Sequence, residues 1–489
     1  MNQEEEIRQE RIKEIEALKR QGLNIYPARV KRTHTIAQAL NQFTKLAKSQ
    51  EQVVLVGRIL SLRKHGKLAF FDIQDGTGKI QVFVGENTLG PKAYDFSLHY
   101  FHPGDFASFK GSLFKTKTGE KTIKGEELKI LSKAIRPWPS QWYGLKDTET
   151  RYRKRYLDLW FNEEVKKNFE IRSQIIENIR KFLENKDFIE VETPILQGQY
   201  GGAKAKPFKT HLEALDIDLF LRISPELYLK RLLVGGFEKV YEIGKNFRNE
   251  GIDQSHNPEF TTLEFYWAYA DYKDLMRLTE EMFASLLKKL FGKLEIIYQG
   301  KKVNFHRPWA RIDFNQLLYQ YTKIDLEEVN TESLKEKAKK LGVEIPNGAS
   351  KPEIADQIYK KYCRPQIWEP TFILHHPQGS FPLAKESVKN PQCTDNFQLV
   401  VANWELINAF SEQNNPLIQE KVFKEQEENY QHGFSEAQRM DKEFLSALEY
   451  GMPPAAGLGL GIDRLTTLLT NSRGLREIIL FPIMKPKNK

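Results

Sequence analysis

NFRNEGIDQSHNPEFTTLEFY, residues 246–266, is the most informative stretch of the chain. Its second half alternates between two faces as a β-strand does, so Glu264 is expected to share one face with Phe260 and Tyr266. Arg248 stands on the preceding segment, which is expected to be the partner strand. Because a buried charge is costly unless it is paired, this face predicts a pocket wall rather than core. The alternative is an exposed hairpin with scattered charges.

Three segments carry a family resemblance. The order F-R-N-E, H-N-P-E-F and a second acid resembles motif 2 of the class II aminoacyl-tRNA synthetases, and it is similar to the lysyl-tRNA synthetase family in particular. FIEVETPIL, residues 188–196, resembles motif 1, a helix and strand that form the dimer interface in that family. GLGLGIDRLTTLLTN, residues 457–471, resembles motif 3, a strand leading into a helix that carries Arg464. The resemblance implies an α+β fold whose catalytic domain is an antiparallel β-sheet flanked by helices.

Composition narrows further the classes of protein to which the chain could belong. Charged residues make up 28% of the 489 residues and hydrophobic ones 40%, which is typical of a soluble globular protein. No run of about 18 apolar residues occurs, so no membrane span is expected. The two cysteines, Cys363 and Cys393, are too few for a disulfide scaffold and predict reduced thiols in the cytoplasm. A net charge of +9 is compatible with a polyanionic partner.

Changes in composition and hydrophobic pattern along the chain predict several domains. Residues 1–50 are expected to form an N-terminal helical extension, and residues 51–134 a five-stranded OB-fold barrel, because five short alternating runs are separated by turn residues. Residues 135–150, rich in proline and aromatic residues, predict a linker. Residues 151–489 form the expected catalytic domain, with a charged helical insertion at about 315–365.

Three barrel residues are candidates for reading a nucleic acid. Arg63, Phe70 and Gln81 offer a charge, a stacking ring and an amide able to contact a base edge. Singly, each has a structural alternative: Phe70 as core, and Arg63 and Gln81 as surface. The resemblance implies the first interpretation, because these positions match anticodon-reading residues of the lysyl and aspartyl synthetases.

The resemblance also implies a nucleotide site. Arg248 is expected to span the ATP α-phosphate and the amino acid carboxylate, a task that suits the guanidinium fork. Arg464 is expected near the γ-phosphate and adenine, with Phe260 stacked on the adenine ring. The remaining ATP-site positions implied by the match are Glu250, His256, Asn257 and Glu405.

A lysine pocket needs an excess of acids, because lysine has two ammonium groups and one carboxylate. The match places Glu226 at the α-ammonium, with Gly202 close by. Around the ε-ammonium it places Glu264, Tyr266 and Glu412, while Phe410 lines the aliphatic stem and Asn408 helps to hold the carboxylate. Aspartyl and asparaginyl enzymes share the architecture, but such carboxylates would repel aspartate. Separately, the alternating glycines Gly457, Gly459 and Gly461 predict a strand face that a flat ligand or another backbone approaches closely.

The chain departs from the family pattern at the expected metal site. The family's D/E-R-F-E is here Asp395-Asn396-Phe397-Gln398, so Gln398 stands where the family has a glutamate that binds metal. An amide oxygen lacks the charge that makes carboxylates strong Mg²⁺ ligands. The candidate metal ligands are therefore Glu405, Gln398 and, more weakly, Glu412. Two further departures are Gln413, in the segment after Glu412, and Asp187, where motif 1 usually has glycine.

The resemblance implies a homodimeric, ATP- and Mg²⁺-dependent ligase that charges tRNA(Lys) with lysine. Two alternatives stay open at this point. A degenerate relative that binds tRNA but activates lysine weakly is motivated by Asn396 and Gln398. An aminoacyl transferase acting on a protein lysine would resemble the catalytic domain alone, and the predicted barrel argues against it.

Overall fold

The structure is a computed structural model that describes residues 3–139, 145–346, 348–431 and 440–486. The chain divides into two compact units, residues 1–147 and 148–489. Residues 140–144 of the predicted linker lie outside the described ranges. No helix in the described part of the chain is long and apolar enough to cross a membrane.

The first unit is a closed five-stranded barrel, with helices before it and between its third and fourth strands. Its helices are α1 (Gln3–Arg20), α2 (Ile36–Asn41), α3 (Phe43–Ser49), α4 (Glu86–Leu89) and α5 (Pro91–Tyr100). Its strands are β1 (Val53–His65), β2 (Leu68–Gln74), β3 (Lys79–Gly85), β4 (Phe106–Lys115) and β5 (Lys121–Ser132), in the order β1-β2-β3-β5-β4. The predicted five-stranded barrel is confirmed.

The last barrel strand begins earlier than its sequence pattern indicates. Alternation is clear only from Glu127, whereas β5 begins at Lys121 and pairs with β4 from there. Gly125 interrupts the pattern, but it lies opposite Gly111 at a shift in register, where a β-bulge is accommodated. Glycine therefore marks a bulge inside the strand and not the turn before it.

The second unit is built on an eight-stranded sheet. Its strands run in the order β14-β15-β16-β17-β18-β11-β10-β6, and all neighbours are antiparallel except β14/β15 and β10/β6. The sheet strands are β6 (Ile189–Glu190), β10 (Lys239–Phe247), β11 (Glu259–Ala268), β14 (Ala310–Asp313), β15 (Thr371–Leu374), β16 (Asn396–Val401), β17 (Trp404–Ser411) and β18 (Ala455–Gly461). Two small sheets hold β7 (Leu196–Gln197), β8 (Phe208–Leu212), β9 (Ile217–Leu221), β12 (Glu295–Tyr298) and β13 (Lys301–Asn304).

Helices flank this sheet, as predicted for the α+β class. They are α6 (Thr148–Arg153), α7 (Arg155–Phe161), α8 (Glu163–Glu184), α9 (Glu226–Val234), α10 (Tyr272–Phe291), α14 (Pro416–Gln431), α15 (Lys442–Glu449), α16 (Ile462–Leu469) and α17 (Leu475–Ile478). The main core packs apolar residues of α8, α10 and α16 against the sheet, among them Ile179, Phe283 and Leu465. This packing leaves the other face of the sheet to carry polar residues.

The charged segment at about 315–365 is helical. It contains α11 (Phe314–Thr322), α12 (Thr331–Lys340) and α13 (Lys351–Ile358), followed by a π-helical turn at Tyr359–Cys363. These elements share a core of their own around Leu318, Leu334 and Ile354. Their polar faces explain why the segment reads as charged although it is packed.

Asp187, where motif 1 usually has glycine, adopts a left-handed backbone with φ of +64°. Asp187→Gly is expected to raise the free energy of unfolding by about 1 kcal/mol, because glycine adopts this conformation without a Cβ clash. Thermal denaturation of both proteins measures the difference.

The matched control is Asp187→Ala. Both variants lose the exposed ion pair in which Lys239 Nζ lies 3.9 Å from Asp187, an interaction that contributes little. Of the two variants only Asp187→Ala keeps a Cβ, so its melting temperature should be lower than that of Asp187→Gly. Equal melting temperatures for the two variants would contradict a backbone origin.

Candidate active site

Four neighbouring strands bring the predicted residues onto one face of the sheet. Two rows of residues run across β11, β18, β17 and β16 in register. The first row contains Glu264, Gly459, Asn408 and Gln398. The second row contains Tyr266, Gly457, Phe410 and Asn396. The alternation expected from Phe260 to Tyr266 is present, and it aligns residues that are far apart in sequence.

Arg248 lies at the mouth of this face with its guanidinium largely uncommitted. We expected Arg248 on the strand, but β10 ends at Phe247 and Arg248 is the first residue after it. Its backbone N–H donates to the Pro258 carbonyl at 2.8 Å. Its guanidinium lies 5.0 Å from the centre of the Phe260 ring. Burial lowers the pKa of Arg248, with Glu250 opposing that effect. Nε has no hydrogen-bond partner among the described residues.

Arg222, in contrast, uses its guanidinium for hydrogen bonds within the protein. Its Nε donates to the Lys245 carbonyl at 2.9 Å, and its Nη1 contacts Glu242 and donates to Thr193 Oγ1 at 3.2 Å. All of these acceptors belong to the protein, so Arg222 has little capacity left for a ligand. Arg248 differs from Arg222 because its Nε has no hydrogen-bond partner among the described residues, so it keeps capacity to bind an anion.

A second cationic group lies at the end of β18. Arg464, on α16, donates from Nη1 to the Glu405 carbonyl at 2.9 Å, and its Nη2 lies 3.4 Å from His256 Nε2. Burial raises the pKa of Asp253, but hydrogen bonds from His256 and Ser255 outweigh it and lower the pKa to about 2. His256 is thus held by an ionised carboxylate.

Two of the residues predicted for the nucleotide site, Asn257 and Glu250, lie in the loop between β10 and β11, whereas Glu405 lies on β17. Asn257 donates from Nδ2 to the Glu259 carbonyl at 2.6 Å, and its Oδ1 has no partner among the described residues. Glu250 is exposed on the same loop. The structure brings Arg248, Phe260 and Asn257 together around this loop, and Arg464 reaches it through His256.

Three buried carboxyl groups converge on the other side of Arg248: Glu226, Glu264 and Glu412. Glu226 begins α9, and its Cβ lies 2.9 Å from the position that a Cβ on Gly202 would take, so these two predicted neighbours are adjacent. Glu264 accepts hydrogen bonds from Ser224 Oγ at 3.0 Å and Tyr266 Oη at 3.2 Å. Burial, aided by the charge of Glu226, raises the pKa of Glu264 to about 8.

The glycines of β18 make room for these acids. A Cβ on Gly457 would collide with the Glu412 carboxylate and the Tyr266 ring. We expected a flat ligand or another backbone to use this space, whereas the structure fills it at Gly457 with two side chains of the same chain. Gly459 leaves more room, since its nearest neighbour would be Glu264 Cγ at 3.8 Å.

The raised pKa of Glu264 predicts that binding a cation depends on pH. The carboxyl is protonated in the free protein below pH 8 and must lose its proton to pair with an ammonium group. Affinity for lysine should therefore rise by up to about tenfold for each pH unit between 6.5 and 8. Calorimetry in two buffers of different ionisation enthalpy should detect a released proton.

The Glu264→Gln variant provides the control, since it has no proton to release. It should bind lysine weakly and with little pH dependence over the same range. A wild-type affinity that does not change between pH 6.5 and 8 would contradict the raised pKa.

The expected metal site has one carboxylate and one free amide oxygen. Glu405 accepts from Asn408 Nδ2 at 2.6 Å, and this bond together with Arg464 outweighs burial and lowers the pKa of Glu405. Gln398 Oε1 is buried without a hydrogen-bond partner among the described residues. Mg²⁺ is commonly held by one or two carboxylates plus substrate phosphates, so this pair fits such an ion. In the described ranges, no cluster of three or more His, Cys, Asp or Glu could hold a metal unaided.

Two residues near the metal site have other partners. Glu412 forms an ion pair with Lys230 within the acid cluster, and its weaker assignment as a metal ligand stays a prediction. Asn396 is fully buried, and its Oδ1 accepts from the His376 N–H at 2.8 Å. Its amide thus supports the turn after β15, which accounts for an uncharged residue at this position.

Sequence reasoning missed Ser224, Lys230 and Arg364. Ser224 Oγ binds Glu264 and also accepts from the Glu226 N–H at 3.1 Å. Arg364 Nη1 lies 3.7 Å from Glu405. Only Lys230 left a signal, because it stands four residues after Glu226, the spacing at which helical side chains meet. The other two contacts depend on the tertiary fold.

The barrel carries the three candidate nucleic-acid residues on one face. Arg63 on β1 lies opposite Phe70 on β2. Gln81 on β3 lies opposite Asp72, which is two residues after Phe70 on β2. Phe70 is half-buried, whereas the neighbouring Phe71 is fully buried, so the core role belongs to Phe71. Arg63 lies 3.1 Å from Asp72, and Gln81 accepts from Thr122 Oγ1 at 3.0 Å.

Comparison with known proteins gives consistent matches to both units. Residues 147–485 match the family described as tRNA synthetases class II (D, K and N), and residues 53–131 match the OB-fold nucleic acid binding domain. The lysine–tRNA ligase of Thermosipho melanesiensis is 46% identical over 99% of this chain and 97% of its own length. That of Carboxydothermus hydrogenoformans is 46% identical over 98% of each chain. That of Thermotoga maritima is 44% identical over 99% of this chain and 96% of its own.

Proposed function

The chain belongs to the class II tRNA synthetases of the aspartate, lysine and asparagine group, and on that premise we propose that it is a lysine–tRNA ligase. It activates lysine with ATP to lysyl-adenylate and transfers the lysyl group to tRNA(Lys). One observation carries the choice of amino acid: Glu226, Glu264 and Glu412 are buried together beside Arg248. Three neighbouring carboxyls attract a substrate with two ammonium groups and repel an acidic one.

Activation joins the lysine carboxylate to the α-phosphorus of ATP while pyrophosphate leaves. Arg248 binds the carboxylate and the α-phosphate together: its Nε has no hydrogen-bond partner among the described residues, and the guanidinium fork suits two neighbouring anions. Arg464 and His256 meet the negative charge of the leaving group. Glu405 and Gln398 would hold Mg²⁺, and the bound ion would supply positive charge to neutralise the phosphates. A ribose hydroxyl of the tRNA then attacks the carbonyl, and AMP leaves.

The barrel reads the anticodon through Arg63, Phe70 and Gln81. This proposal is supported by their position on one face and by the open ring of Phe70, which lies 5.5 Å from that of Phe83. Aromatic rings in such a position stack bases. Arg63 and Gln81 already have protein partners, so we assign them to contacts that supplement stacking.

Phe70→Ala is expected to weaken charging of tRNA(Lys) by about tenfold or more, because one stacking contact is lost. The rate of lysine activation without tRNA should be unchanged, since Phe70 lies in the other compact unit. Phe70→Tyr keeps the ring and should retain charging. Equal losses in charging and activation for Phe70→Ala would count against an anticodon role.

We also propose that the protein is a cytoplasmic homodimer. Motif 1 exposes apolar side chains: Ile189, Ile195 and Leu196 are 52%, 44% and 50% exposed. Neighbouring exposed apolar residues are typical of an interface. Both cysteines are free thiols, in keeping with a reducing compartment. Sedimentation velocity distinguishes a dimer from a monomer.

ATP–pyrophosphate exchange with each standard amino acid tests the proposed function. Exchange that depends on lysine alone is the expected result, and it would show that the Gln398 site supports activation. Absence of exchange from folded protein that still binds tRNA would overturn the proposal in favour of a weakly activating relative. Exchange with aspartate or asparagine would overturn the assignment of the acid pocket.

A further inference from the structure

Lys230 is a buried cation inside the acid pocket that the reaction as described does not use. It lies on α9 with an exposed fraction of 0%. Its Nζ lies 2.6 Å from Glu226 Oε1 and also contacts Glu412 Oε2. The rings of Phe410 and Phe444 lie 5.5 and 5.9 Å from the same ammonium. The protein therefore places its own lysine ammonium between two of the carboxylates assigned to substrate lysine.

A need for stability does not explain this arrangement. Taking charges out of water is unfavourable, and well-packed apolar residues often stabilise such a position as well or better. Apart from these two carboxylates, the rings of Phe410 and Phe444 line the same space and are apolar. A charged residue here calls for a role that an apolar residue could not fill.

In each of the two carboxylates, one oxygen atom makes the contact with Lys230. Lys230 holds Oε1 of Glu226 and Oε2 of Glu412. Among the described residues the other oxygen of Glu412, Oε1, has neither an ion-pair nor a hydrogen-bond partner, and it lies close to where a Cβ at position 457 would be. One ammonium thus fixes two carboxylates, which come from different elements, and leaves Glu412 Oε1 unused.

We propose that Lys230 is a positioning residue for the amino acid substrate: its ammonium orients Glu226 and Glu412 so that their remaining oxygens receive the ammonium groups of lysine. The charges agree with this role. Three carboxyls opposed by one internal ammonium leave two negative charges when all are ionised, which equals the positive charge of the two substrate ammonium groups. The inference rests on the proposed function.

The other charged and titratable groups around Lys230 do not compete for it. Glu264 and Tyr266, on β11, face the same cluster but bind each other at 3.2 Å. Arg231, the next residue on α9, is turned away and pairs with Asp441 at 2.9 Å and Glu443 at 3.1 Å. Arg231 is therefore suitable for a matched control on the same helix.

The test uses the full-length protein with Lys230→Met, which keeps the length and apolar stem but removes the charge. The KM for lysine in pyrophosphate exchange should rise at least about 30-fold, because the two carboxylates lose their common partner. The KM for ATP should stay within about threefold. Preference for lysine over ornithine, its homologue shorter by one methylene, should fall, since the ammonium sites are no longer fixed. Arg231→Met should change none of these.

Chemical rescue separates positioning from folding. Lys230→Ala removes the atoms of n-propylammonium, and adding that cation should restore exchange with lysine, whereas 1-propanol of equal size should not. A Lys230→Met protein with unchanged lysine KM and unchanged preference over ornithine would overturn the inference, and so would equal effects of the cation and the alcohol. Absence of lysine exchange in the unaltered protein would instead overturn the proposed function, and this inference with it.

Discussion

Arg248→Ala is expected to reduce adenylate formation by about 10³-fold or more, because it removes the donor group that meets both reacting partners. The structure supports so large an effect. Among the described residues, Nε of Arg248 has no hydrogen-bond partner, and Nη2 forms one hydrogen bond, to the Ile223 carbonyl 3.5 Å away. Little of its hydrogen-bonding capacity serves the fold, so the loss should fall on catalysis. Pyrophosphate exchange at saturating lysine and ATP measures it.

Two further variants make this result specific. Arg248→Lys keeps a positive charge but not the planar fork, so it should recover only part of the rate. Arg277→Ala removes an exposed arginine that pairs with Asp274 on α10, and it should exchange at the wild-type rate. A near-normal exchange rate for Arg248→Ala, in protein with an unchanged circular dichroism spectrum, would contradict the assignment of Arg248.

The features predicted from sequence are those that a local pattern determines. Period-two alternation placed Glu264 and Tyr266 on one face, and turn residues separated the barrel strands. The position of Phe70 against Phe71 also follows from alternation, although sequence alone left core and surface open for Phe70. Chain direction and hydrophobic pattern are sufficient for such features because neighbouring residues produce them.

The features that were missed depend on residues from distant segments. Lys230 has a helical neighbour in Glu226, yet its second partner, Glu412, follows β17 and is 182 positions further along the chain. No spacing rule predicts that contact, because it arises from packing α9 against the sheet. The ion pair of Glu412 could not be identified before the fold was known for the same reason, and the weaker metal assignment of Glu412 stays a prediction.

Gly457→Ala is expected to have the second large effect, on lysine binding. The added methyl group would collide with the Glu412 carboxylate and the Tyr266 ring, both of which belong to the acid pocket. Either must move, and overpacking of this kind costs about 1–3 kcal/mol, so the KM for lysine should rise by up to about 100-fold. The KM for ATP should change little, because Arg248 and Arg464 are not displaced. Lysine- and ATP-dependent exchange rates measure both constants.

Gly461, on the same strand as Gly457, provides the control. A Cβ on Gly461 would meet only Arg464 side-chain atoms, at 3.6 Å or more, which is ordinary contact. Gly461→Ala should therefore leave the lysine KM within about threefold of wild type. If Gly457→Ala also binds lysine normally, Glu412 is not fixed in the pocket by the missing side chain. An effect of Gly457→Ala on lysine alone would show that glycine is needed there to seat an acid beside the substrate, and not to admit the nucleotide.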